Sequence, residues 1–193
     1  MKRAMVFVAS AALVLGAAGL TAQSKKGQPK AAAGAPEAII YDAQSAMAFL
    51  TSTSGEWVSG SGQHEHGAPA GNRGVVSVKT KAAGSAVVHT YGAGTPNEME
   101  TIFHMDGDQL LLTHYCALQN APVLTFQKSD KPGELKFVFQ GGTNFDPKVD
   151  AHLHDSSFVI KDKDTIEQSS TVFANGKANP ELKSVLHRKA SSN

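Results

Sequence analysis

Three hydrophobic patterns follow one another along the chain. Behind the cationic start Met1-Lys2-Arg3, residues 4–20 form an uncharged, mostly apolar run rich in Ala, Val and Leu, and Thr21-Ala22 ends it with small side chains. That order predicts a secretory signal peptide over 1–22, cleaved after Ala22. Residues 23–35 are small and polar with no hydrophobic period, which predicts a flexible linker. Past Pro36-Glu37, apolar side chains at 39, 43, 46, 47 and 50 recur at three- and four-residue spacing. An amphipathic helix over 36–50 follows.

From Trp57 the period shortens. Runs rich in Val, Thr, Phe and Leu alternate with Gly, Asp, Asn and Pro signals, predicting strands near 55–60, 74–80, 85–92, 98–105, 109–118, 122–128, 134–140, 151–161, 164–174 and 181–189. The turn signals Asp106-Gly107, Lys131-Pro132-Gly133, Lys161-Asp162-Lys163-Asp164 and Asn175-Gly176 order them as consecutive hairpins. The fold class expected for 36–193 is all-β: an antiparallel up-and-down barrel of about eight to ten strands with one N-terminal helix. A sandwich is the alternative. Residues 60–73, with His64-Glu65-His66, are too rich in Gly for a firm strand and predict a loop near a barrel mouth.

Alternation then sorts side chains by face. If Asp106-Gly107 is a two-residue loop, 105 pairs with 108, 103 with 110, 101 with 112 and 99 with 114. Met99, Thr101, Phe103, Met105, Leu110, Leu112, His114 and Cys116 then share an apolar, inward face, and Glu100 and His104 point to solvent. On the eighth strand, an unbroken pleat would put His152, His154 and Ser156 on the face of Phe158 and Ile160.

Composition narrows the function classes. The 193 residues carry 18 basic and 17 acidic side chains, and removing Lys2 and Arg3 with a signal peptide leaves 16 basic ones. Such a near-neutral chain lacks the basic footprint of a nucleic-acid binder. A single Cys closes no internal disulfide. No phosphate-cradling Gly-Lys-Ser loop, Gly-x-Ser-x-Gly elbow or complete calcium loop is present.

Gly55-Glu56-Trp57, placed after a helix and opening the first strand, resembles the Gly-x-Trp signature of the lipocalin and wider calycin barrels. The resemblance implies that Trp57 packs at the closed end of the barrel beneath a basic side chain of the last strand. Arg188, in Val185-Leu186-His187-Arg188-Lys189, is suitably placed for that role. The segment from His104 to Cys116, with Gly141-Gly142-Thr143-Asn144 and Asp150 to Asp155, resembles a group of bacterial secreted lipocalin-like proteins over most of residues 50–190. That likeness implies fold and export, and brings no activity with it.

The expected protein is therefore secreted or periplasmic, with no stable membrane insertion after signal cleavage, no nucleic-acid partner and no catalytic residue. Its partner would be a small, largely apolar ligand held by Met99, Phe103, Leu112, His114, Cys116, His154 and Phe158. Apolar walls would supply affinity and the histidines orientation. The alternative is a metal- or haem-binding barrel using His114, His152 and His154, open to an enzyme whose metal polarises a substrate or activates water, since two imidazoles at i and i+2 of a strand point the same way. The residues do not fix which cofactor, if any, is taken.

Overall fold

The computed structural model describes residues 39–60 and 74–190, all within the unit Pro36–Asn193. The expected signal peptide, the linker, residues 36–38 and the His64-Glu65-His66 segment lie outside the described residues.

Helix α1 spans Ala43–Ser52 and starts later than Pro36-Glu37 suggests. The reason is a capping box. Asp42 Oδ1 accepts from the Ser45 amide at 2.8 Å and Ser45 Oγ accepts from the Asp42 amide at 2.9 Å, which satisfies two of the donors that a helix start leaves unpaired. Ala46, Met47 and Leu50 face the core.

Ten strands close a ring. They are β1 (Gly55–Gly60), β2 (Val75–Lys81), β3 (Ala86–Tyr91), β4 (Met99–Asp106), β5 (Gln109–Tyr115), β6 (Ala121–Gln127), β7 (Glu134–Thr143), β8 (His152–Asp162), β9 (Thr165–Ala174) and β11 (Leu182–Arg188). Each pairs antiparallel with its sequence neighbour, and β11 lies between β9 and β1 to complete the circle. The two-residue β10 (Lys177–Ala178) folds back on the end of β9 through Asn175-Gly176, whose φ of 52° and 72° suit the tight hairpin turn. This is the up-and-down closed barrel expected from the strand pattern.

The β4–β5 register corrects the expected one. Asp106 pairs with Gln109, Phe103 with Leu112 and Thr101 with His114, so the loop is Gly107-Asp108 and every partner is displaced by two residues. A slip of two preserves side-chain faces. Phe103 and Leu110 are fully buried and Leu112 nearly so, while Glu100, Ile102 and His104 alternate with them on the outer wall.

One end is closed and packed. Trp57 is 1% exposed and its Nε1 donates to the Thr53 carbonyl at 2.9 Å. The Arg188 guanidinium lies 4.3 Å over the ring, donates to the Ser54 carbonyl and pairs with Asp164 at 3.3 Å. Cation–π attraction of this kind contributes about 0.5–2 kcal/mol. Gly55, at φ +135°, is demanded twice, because a Cβ there would also meet Arg188 Nη1 at 3.3 Å. Above the tryptophan, Phe103, Phe137 and Phe158 meet edge-on at 5.5–6.1 Å between centroids, surrounded by Leu110, Leu124 and Leu135. Each such side chain removed from water contributes about 1.5–3 kcal/mol.

Candidate functional site

The packed rings fill only the half of the barrel next to α1. Beyond Phe158 and Leu112 the interior opens into a cavity of about 490 Å³ that reaches the other end of the barrel, well within the range of small-molecule sites. Met99, Thr101, Leu112, His114 and Cys116 form one wall and Gln168, Ser170, Val172 and Leu182 the other. Five of the seven residues expected to hold a ligand border it: Met99, Leu112, His114, Cys116 and Phe158.

Two expected residues stand elsewhere. Phe103 is completely buried beneath the cavity, 5.9 Å from Phe158 between ring centres, and supports the floor. His154 is displaced by a β-bulge. The β8–β9 register runs His152 with Phe173 and Leu153 with Val172, then resumes at Asp155 with Thr171, leaving His154 as the extra residue. The unbroken alternation expected for β8 therefore fails at this position. Ser156 and Phe158 keep their inward places, Leu153 becomes a lining residue, and His154 stacks between Phe139 and Phe173 at 4.8 and 5.0 Å.

The histidine pair is tied into that ring cluster. His152 is fully buried, and its Nδ1 lies 2.8 Å from the Asp150 carbonyl, which only accepts, so Nδ1 carries the proton. Its Nε2 lies 3.2 Å from His154 Nδ1, within hydrogen-bond distance. Both nitrogens of His152 are thus engaged. His152 also borders the cavity with His114, but among the described residues no three His, Cys, Asp or Glu side chains come together as a metal-binding group. The set His114, His152 and His154 is not assembled here.

Inside the cavity the polar groups are paired with one another. His114 Nδ1 lies 2.8 Å from Thr101 Oγ1, its cross-strand partner. Burial pushes the imidazole down to about 4, so the ring is neutral at physiological pH. Across the lumen, Gln168 Nε2 of β9 donates to Tyr91 Oη of β3 at 3.2 Å, and burial raises that phenol to about 12. Cys116 is a half-buried free thiol with Sγ 4.0 Å from Met99 Sδ.

The open end is organised by side-chain hydrogen bonds. Cys116 begins a tight turn in which its amide donates to the Asn120 carbonyl and its carbonyl accepts from Gln119. Asn120 Nδ2 donates to the Ala151 carbonyl at 2.8 Å, and Asn144 Nδ2 donates to the Gln119 carbonyl. The segments after β5 and before β8 are thereby clasped beside the cavity. A second hollow of about 560 Å³ lies on the outer face of β6–β9, but it is lined by Lys128, Lys136, Glu134, Asp155 and serines. Phe137 and Val138 are the apolar residues among a lining that is otherwise charged or polar, so the interior cavity is the stronger site.

Gln168, Ser170, Tyr91 and Leu153 are site residues that the sequence alone did not single out. Alternation along β9 from Ile166 could have indicated Gln168 and Ser170, since even positions there face inward. No family model matches the chain, and no curated protein matches it significantly.

Proposed function

We propose that the protein is an exported, lipocalin-like carrier that holds one small, largely apolar molecule in its barrel. The observation that carries this reading is the cavity of about 490 Å³ left between a packed closed end and an open mouth. A barrel built only for stability would be filled by side chains, because an apolar void costs the contacts its lining forgoes. Met99, Leu112, Leu153, Phe158, Val172 and Leu182 would supply affinity through area removed from water, about 25 cal/mol per Å². His114, Tyr91 and Gln168 would orient a polar atom. Export rests on the cationic, apolar and small-residue order of residues 1–22.

The test uses protein recovered from the periplasm or culture fluid, where a Gln23 N-terminus is expected and an intact Met1 would overturn export. Titration with the neutral fluorophore 1-aminoanthracene should show saturable one-to-one binding. Val172→Trp, which places an indole in the lumen, should abolish it while the far-ultraviolet spectrum is kept. Absence of saturable binding, or equal binding by the filled variant, would overturn the carrier reading.

A further inference from the structure

We propose that the lumen selects a medium-chain molecule with an uncharged hydrogen-bonding head, an alcohol or amide, against the carboxylate of the same length. This rests on the carrier reading above and adds the class of ligand. None of the described residues bordering the cavity is an Asp, Glu, Lys or Arg. Among the described residues the one guanidinium, Arg188, belongs to the opposite end, where Trp57, Ser54 and Asp164 occupy it. At the rim beside Cys116 the charged side chains are acidic: Glu98 and Glu100 share an outer hollow with that cysteine.

A carboxylate entering this space would surrender its hydration and find no counter-ion among the described residues, the costly case for burying charge. A hydroxyl or amide surrenders far less and recovers it with one or two hydrogen bonds. The site offers those. With Nδ1 engaged by Thr101, Nε2 is the remaining polar atom of His114, and a neutral imidazole donates or accepts there according to its tautomer. The hydroxyls of Ser156 and Ser170 border the same space. The neutrality of His114 and Tyr91, enforced by burial, shows that these walls already disfavour ionisation. At about 30 Å³ per water molecule, 490 Å³ is the room of roughly 16 waters, which sets the size of a matched ligand series at medium chain length.

The experiment is displacement of 1-aminoanthracene from the mature protein, near neutral pH, by 1-dodecanol, dodecanamide and dodecanoate. The alcohol and the amide should displace the reporter at concentrations at least tenfold lower than dodecanoate, which is about 1.4 kcal/mol or more of discrimination. Dodecanoate competing as well as dodecanol, with the reporter still bound saturably, would overturn the head-group inference and leave the carrier reading standing. Failure of the reporter itself to bind would overturn both. His114→Leu should weaken dodecanamide at least threefold more than it weakens the reporter, and His114→Gln should restore the amide. An unchanged amide affinity in His114→Leu removes that residue from the recognition.

Discussion

Two histidines sit where a charge is least tolerated. His89 is 4% exposed, packs 4.8 Å from Phe103 between ring centres, and has no hydrogen-bond partner at Nε2. Burial holds its acidity constant down to about 3, and His114 at about 4. Protonation therefore favours the unfolded chain, in which both titrate near the ordinary value of about 6.5. Their contribution to stability is undiminished above that pH. It falls away progressively below, ending near pH 4 for His114 and pH 3 for His89. Between about pH 6 and pH 4.5, above most carboxylate titration, two such groups should cost about 2–3 kcal/mol of unfolding free energy per pH unit. Urea unfolding at stepped pH measures this, and His89→Gln should lower the slope by about half. A flat profile from pH 7 to 4.5 would show that these rings reach water in the folded state.

Elements were legible in the sequence wherever one residue type forces one geometry. Trp57 after Gly55, the turn pair Asn175-Gly176 and the alternation of Phe103, Leu110 and Leu112 each place their strand on its proper face. The one-residue shift of the β4–β5 loop, which moves every pairing by two, was not legible because it exchanges one same-face partner for another. The bulge at His154 was not legible for a different reason. An extra residue alters neither composition nor local propensity, and only the pairing with Thr171 and Val172 reveals it. A second irregularity lies on the neighbouring strand, where Leu124 pairs with Phe139 and Val123 with Gly141, passing over Gln140. Close by, Gly142 adopts φ +155°, and a Cβ there would stand 2.5 Å from the Phe145 ring and 2.7 Å from the Ala121 carbonyl. Gly142→Ala should accordingly destabilise the fold by about 1–3 kcal/mol and loosen the segment carrying Phe145. Hydrogen exchange of residues 144–151 with a denaturation midpoint checks it, and a change within about 0.5 kcal/mol would contradict the close approach.

At the scale of the whole molecule, strand count was foreseeable from turn spacing and a ligand-sized interior was expected of such a barrel, whereas the walls that β3 and β9 give it were not. The ring turns the polar side chains of Gln168 and Ser170 inward, to the cavity that Tyr91 also borders. The hydrogen bond between Gln168 and Tyr91 joins β9 to β3, strands that are not neighbours in the sheet. It crosses the barrel like a tie-beam, and Phe158, which borders the same cavity, meets Phe103 edge-on beneath it. The lumen consequently has a fixed depth and works as a ruler. In a homologous series of alcohols, affinity should climb by about 0.8 kcal/mol for each added methylene until the chain touches this stop, and then level off. Calorimetric titration would locate the break, and a series that climbs without one would mean that the beam gives way. Chain length, set by a single amide and a phenol, would then be as much a part of this protein's selectivity as anything at its entrance.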